Sequence, residues 1–325
     1  MPTTLFQPNF RLSSPLSQDW HSEQYNQCLL QGIIEWCKWS LLDIGGYQNV
    51  RRTDVSGIYG GHMARLRPVQ DPNYTDGQVW EAIRSDWVWE KGVTYSGTAP
   101  SVASGVSVND TFYPTASTTS TYQHLINFPL GRIVFNQAIN LSSIVTTDYC
   151  YRAVSFVKSK EPWFTQLLYK SFNIQRSDFL TATGAFNVLA QARRQMPAVG
   201  IELVQRRSSQ PYELGSLTQN VNQDMLFYIV AESDIERDQL VDILTGQIDK
   251  SIWLPDIAKM KSDARYPMTL DYNGSPVASP MYYPSLINEF PGVKVRIENT
   301  SAQSMETINS WLYRGVVRIT FGAII

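Results

Sequence analysis

The sequence of 325 residues predicts an α+β protein in which a sheet packed with helices is interrupted by an inserted β-rich, sandwich-like module. Three observations carry this expectation. Residues 17–42 place Tyr25, Cys28, Leu29, Gly32, Ile33, Trp36, Cys37 and Ser40 three and four residues apart, the period of a helix with one buried face. Residues 80–160 change to short alternating runs separated by Ser, Thr, Gly and Pro, the texture of strands and turns. In the last third, the apolar run Met225–Ala231 precedes Ser233-x-x-Glu236, a capping box that opens a helix. The expected division is a discontinuous α+β domain, residues 1–75 with 191–325, around an inserted module at 76–190.

Each element has its own local cause. Gly45 and Gly46 stop the first helix, and Gly57, Gly60, Gly61, Pro68 and Pro72 punctuate the loops that follow. The runs 121–128 and 131–139 flank Pro129-Leu130-Gly131, a hairpin turn, and residues 142–157 continue in β-like alternation. The Ser- and Thr-rich stretch 97–121 is too polar for core and reads as a surface loop or arm. Residues 198–207 form a strand closed by Arg206-Arg207-Ser208-Ser209, with a polar loop at 208–215. Residues 225–231 form a strand apolar at nearly every position, hence covered on both faces. The capped helix turns Leu240, Val241, Leu244 and Ile248 to one side, and residues 315–325 form the closing strand.

Composition narrows the function classes. Lys+Arg 27 against Asp+Glu 29 gives a net charge of -2, which excludes a strongly basic nucleic-acid binder and an acidic disordered tail. Charged residues are 17% and aromatic residues 12% of the chain, where an average domain carries roughly 25% charge, so much surface is expected to be hidden in an assembly. The amino-terminal residues lack the basic and apolar regions of a secretory signal, and no apolar run is long enough to span a membrane. Cys28 and Cys37, nine residues apart on one helix, face opposite sides and cannot bond to each other. With Cys150 they read as reduced thiols.

Motifs for catalysis are missing. His21, His62 and His124 lack ligands at metal-site spacings, so no metal is expected. Gly60-Gly61-His62 reads as a plain turn. Asp234, Glu236, Asp238 and Asp242 crowd the start of the capped helix, where their charge meets its positive end. Neither a catalytic residue nor a cofactor site emerges. The pairs Arg51-Arg52, Arg193-Arg194 and Arg206-Arg207 stand out, since neighbours in an extended segment face opposite ways. They read first as solvated surface charge; as contacts they suit an acidic neighbouring subunit more than DNA phosphate. Trp80, Trp87, Trp89, Tyr95 and Phe112 read as module core or interface before they read as a stacking platform.

Residues 197–249, with Pro197–Val204, the loop Ser208–Gly215, the strand Met225–Ala231 and the capped helix, resemble neck and tail-terminator proteins of long-tailed bacteriophages, and more loosely virion structural proteins of cyanophage-type myoviruses. The segment INFPLGRIVFNQAI is similar to β modules of phage structural proteins. The resemblance implies a tail-terminator-like fold and no enzymatic activity. It also implies a ring of identical subunits, expected to be hexameric, that terminates the tail and joins it to the head. The implied partners are neighbouring neck or connector proteins and tail tube or sheath proteins, with transient DNA contact in the lumen and no membrane. The implied location is the virion neck, after synthesis in the bacterial host cytoplasm. Alternatives are a baseplate or capsid-decoration protein and a glycan-binding tail protein using Trp87. The candidate subunit-interface residues are Arg193, Arg194, Arg206, Arg207, Pro211, Tyr212, Glu213, Leu214, Trp87, Trp89, Arg318 and Phe321. The closing strand is expected at an edge, where it would pair with a neighbour's sheet.

Overall fold

A computed structural model of the chain describes residues 25–53, 62–90, 93, 97–115, 122–169, 179–180, 194–213, 219–256, 283–309 and 311–324. Helix α1 spans Tyr25–Asp43, and residues 17–24 of the expected helix lie outside the described residues. Then come β1 (Tyr47–Val50), β2 (Arg67–Pro68), β3 (Val79–Glu81), β4 (Gly105–Val108), β5 (Thr111–Pro114), β6 (His124–Asn127), β7 (Arg132–Phe135), β8 (Val145–Thr146) and β9 (Tyr149–Arg152). The chain continues through β10 (Ser155–Lys158), α2 (Pro162–Tyr169), β11 (Phe179–Leu180), β12 (Arg194–Gln195), β13 (Ala198–Pro211) and β14 (Gln219–Ala231). Helix α3 (Asp234–Thr245), β15 (Ser251–Pro255), α4 (Tyr283–Glu289), β16 (Pro291–Asn309) and β17 (Leu312–Ile324) complete it.

Six strands form the main sheet in the order β10-β13-β14-β17-β16-β15. All neighbours are antiparallel except β10 and β13, which are parallel. The sheet curls into a half-barrel. The architecture is thus mixed and mostly β, in keeping with the α+β class. Helices α1 and α3 cover one face. Leu29, Ile33, Cys37 and Leu41 from α1 and Leu240, Val241 and Leu244 from α3 meet Met225, Phe227 and Ile229 of β14 and Val317, Ile319 and Phe321 of β17. Each such large side chain contributes about 1.5–3 kcal/mol by leaving water.

The caps follow the sequence. Gly45 has φ 87° and donates to the Leu42 carbonyl at 2.9 Å, and Gly46 donates to that of Leu41 at 2.8 Å. At α3, Ser233 Oγ accepts the Glu236 N–H at 3.3 Å. The helix closes at Thr245, so Ile248 falls beyond it and is 51% exposed instead of buried.

Three further expectations are corrected. The strand at 198 does not stop at the Arg206-Arg207-Ser208-Ser209 cluster: β13 runs to Pro211 opposite a polar extension of β14, with Ser208 opposite Asn222 and Gln210 opposite Asn220. Backbone ladder bonds hold such a ribbon whatever its side chains. Residues 225–231 are not covered on both faces throughout. Phe164 and Leu167 of α2 pack with Val230 and Tyr228, whereas Leu226, farther along, is only half-buried. The closing strand β17 is interior, hydrogen-bonded to β14 on one side and β16 on the other, so its backbone has no edge to offer.

A second core, built around Trp80, Trp87, Val106, Phe135 and Tyr149, lies inside the β module. It is enclosed by a four-stranded sheet, β2-β3-β7-β6, a three-stranded sheet, β5-β4-β8, and the β1–β9 ribbon. The Pro129-Leu130-Gly131 hairpin is present, with Gly131 at φ 66° and Ile126 opposite Ile133. The polar stretch 97–121 is not wholly surface: Val106 and Val108 are 0% and 2% exposed, in a hairpin turned by Asn109 and Asp110 at φ 49° and 67°. Core membership follows other cuts than 76 and 190. Val50, Ala64 and Leu66 pack in the module core, while Phe156 and α2 pack on the main sheet.

Candidate functional site

The second face of the main sheet, beyond α2, carries half-buried residues. The ladder brings Asp224 of β14 beside Arg318 and Thr320 of β17: Arg318 forms an ion pair with Asp224, whose other carboxylate oxygen accepts from Thr320 Oγ1 at 2.7 Å. Nearby, Arg314 and Glu306 pair at 2.5 Å. A groove of about 690 Å³ continues this face past Lys294, Arg296, Glu298 and Gly322 to Trp253 and Ile324. Trp253 and Ile324 are 46% and 54% exposed, and Lys294 Nζ lies 5.8 Å from the Trp253 ring centroid. The Glu298 side chain lies over Gly322, where a β-carbon would stand 2.1 Å from its carboxylate oxygen.

Register shifts on β16 lie between Ile297 and Asn299, Ala302 and Ser304, and Thr307 and Asn309. Each inserts an extra residue, bends the strand and adds twist, which accounts for the curl. The same strand is paired by β15 only from Pro291 to Arg296. Among the described residues, no strand pairs with the outer side of β16 from Asn299 to Thr307. On the opposite flank, β10 covers β13 only from Ala198 to Ile201, and none pairs with the outer side of Ser208–Pro211. The two stretches sit at different levels: Ser208 is level, through Asn222, with Gly322, while Thr300 and Thr307 face Ile319 and Tyr313.

The candidate residues scatter. Arg193 and Leu214 lie outside the described residues. Arg194 falls in β12 and Arg206 in β13. Arg207, Pro211, Tyr212 and Glu213 are exposed toward the end of the β13–β14 hairpin, Tyr212 at 55%. Arg318 belongs to the second face, but Phe321, three residues on, is 0% exposed beneath the helices. Trp87 and Trp89 lie in the module core, Trp87 stacked 4.5 Å from Tyr149 with its indole N–H given to the Arg84 carbonyl at 2.7 Å. With Trp80 also buried, these indoles present no stacking platform. Arg52 turns back on its own module, its Nε 3.4 Å from Asp148, while Arg51 is exposed. Sequence reasoning missed Asp224, Thr320, Trp253 and Glu298. The available signal was polar residues alternating with apolar ones through Arg318–Phe321, the mark of a two-faced strand.

The chemistry of the buried groups is quiet. Cys28, Cys37 and Cys150 form no disulfide, and burial pushes the Cys150 thiol up to about 12, keeping it protonated. His124 Nδ1–H donates to the Tyr122 carbonyl at 2.9 Å. Among the described residues, no group of three or more His, Cys, Asp and Glu gathers as metal ligands, and no helix is long and apolar enough to cross a membrane. No family model matches the chain, and no curated protein matches it as a relative.

Proposed function

We propose that the chain is a non-enzymatic virion structural protein that assembles with copies of itself into a closed ring, six in number, at the neck of a long-tailed phage. The ring terminates the tail and joins it to the head, between connector proteins above and tube or sheath proteins below. Arginines facing the lumen touch DNA in passing.

One observation carries the reading: among the described residues, the curled sheet has a strand edge without a partner strand on each flank, at different levels. Joining β13 of one copy to β16 of the next is a head-to-tail contact, which closes into a ring when the rotation allows. The strands would meet antiparallel, since β13 and β16 run in opposite directions. An offset between edges suits a closed barrel, in which strands tilt by about 35–45° and the register staggers. The low charge of 17% suits surface committed to neighbours. The resemblance implies an amino-terminal helix, a strand pair, a second helix and a closing strand, and α1, β13–β14, α3 and β17 follow one another in that order, with β10, α2, β15, α4 and β16 among the elements added.

Electron microscopy of virions labelled with an antibody to the chain tests the proposal. Label at the head–tail junction, and detached heads and tails of abnormal length when the gene is deleted, is the expected result. Label at the baseplate or over the capsid would overturn it.

A further inference from the structure

A cleft of about 360 Å³ lies where the β module meets the helical layer, lined by Arg84, Gln48 and Tyr151 on one side and by Leu41, Leu240 and Ile243 on the other. Arg84 is only 9% exposed, and its guanidinium carbon lies 5.0 Å from the Tyr151 ring centroid. Among the described residues, its side chain makes no hydrogen bond and no ion pair. An aromatic face offers no lone pair, so the five N–H donors of the guanidinium are left to whatever enters the cleft.

Glu236 also lines the cleft but does not supply that anion. No ion pair joins it to Arg84 among the described residues, although partial burial pushes its carboxyl above the usual range and the Arg84 charge opposes this. Leu41, Leu240 and Ile243 give the cleft an aliphatic side while Gln48 and Gln239 add polar groups, and the volume falls within the range of small-ligand sites, about 300–1,000 Å³.

We propose that this cleft binds a carboxylate carried on a short apolar chain: Arg84 takes the two carboxylate oxygens through paired N–H donors, and Leu41, Leu240 and Ile243 take the chain. Such a group comes either from a free acid or from a polypeptide terminus ending in an apolar residue. The proposal goes beyond the ring reading and does not depend on it, because the site lies within one copy of the chain.

Titration calorimetry on the full chain tests it, with hexanoate, hexanamide, and N-acetyl-Gly-Leu with its terminus free or amidated. Hexanoate is expected to bind saturably, at least about tenfold more tightly than hexanamide, since a charge-assisted bond is lost with the amide. Tighter binding of free N-acetyl-Gly-Leu than of hexanoate assigns the site to a chain terminus, and the reverse order assigns it to a free acid. Arg84→Gln is expected to weaken hexanoate binding about tenfold or more. If that variant misfolds, Glu236→Gln decides: exposed on α3, it removes a repelling charge and should tighten binding. Equal binding of hexanoate and hexanamide, no saturable binding, or weaker binding by Glu236→Gln would overturn the proposal.

Discussion

The Phe164 ring occupies the space that a β-carbon on residue 200 would need: built on Gly200, that atom falls 2.1 Å from Phe164 Cε1. Phe164 is fully buried, so α2 and β13 approach this closely only because residue 200 has no side chain. Gly200→Ala must push the ring out of place. A loss of about 1–3 kcal/mol is expected from overpacking, read as a lower midpoint in urea with an unchanged slope. An unaltered midpoint would mean that α2 does not rest on β13.

Arg152 anchors the module from within. It is 1% exposed, lies 3.0 Å from Asp86, pairs with Glu90, and carries its guanidinium 4.3 Å from the Trp89 ring centroid. Glu90 is itself 4% exposed, so Glu90→Ala leaves a buried cation short of one partner. Breaking such a pair costs about 3–5 kcal/mol, and the remaining Asp86 contact places the expectation at the lower end. Thermal unfolding that stays within a degree or two of the parent would contradict this role.

His124 makes stability depend on mild acid. The ring is 1% exposed, its Nε2 has no partner among the described residues, and burial lowers its pKa against the opposing bond to the Tyr122 carbonyl. In the unfolded chain the imidazole titrates near its ordinary value of about 6.5. Below that pH the unfolded state takes up the proton first, so stability falls as pH drops toward the lowered native value and is complete above about 6.5. His124→Asn should flatten the curve of unfolding free energy between pH 7 and 5.5. The same slope in parent and variant would assign the effect elsewhere.

Two positions at opposite ends of α3 separate a cap from a side-chain pattern. Ser233→Ala removes the acceptor for the Glu236 N–H and should cost about 1 kcal/mol. Ile248→Ser should change stability by less than about 0.5 kcal/mol, because residue 248 lies beyond the helix and is exposed. Denaturant midpoints of both variants check the pair, and a larger loss at 248 would place it in the core.

That contrast also measures what could be read from sequence. Helix α1, the α3 cap and the Pro129–Gly131 hairpin were legible because each depends on residues within a few positions of one another. Ile248 keeps the helical period of Leu240, Val241 and Leu244, but periodicity does not state where a helix ends, and α3 closes at Thr245. The Asn109-Asp110 turn was present in sequence but hidden by the Ser and Thr around it; Val106 and Val108 alternating before it were the usable signal. Strand order was not legible. β17 ends the described chain yet sits between β14 and β16, since ladder neighbours are chosen by distant strands. For the same reason Phe321 reads as a surface anchor in sequence and lies in the core in space, and Arg84 meets the α1–α3 layer with no local pattern to announce it.

The unpaired strand edges carry the functional proposal, and Ala302, exposed on the outer stretch of β16, is where to interrupt one of them. Lysine on an edge strand opposes pairing with another chain while leaving its own ladder intact. The decisive measurement is mass photometry of the purified full chain and of Ala302→Lys, with negative-stain images of the same samples. Closed rings of six copies for the parent, and folded monomers for Ala302→Lys with the parent's unfolding midpoint, are the expected result. A parent that stays monomeric at micromolar concentration, or rings that persist unchanged in Ala302→Lys, would contradict assembly through these edges.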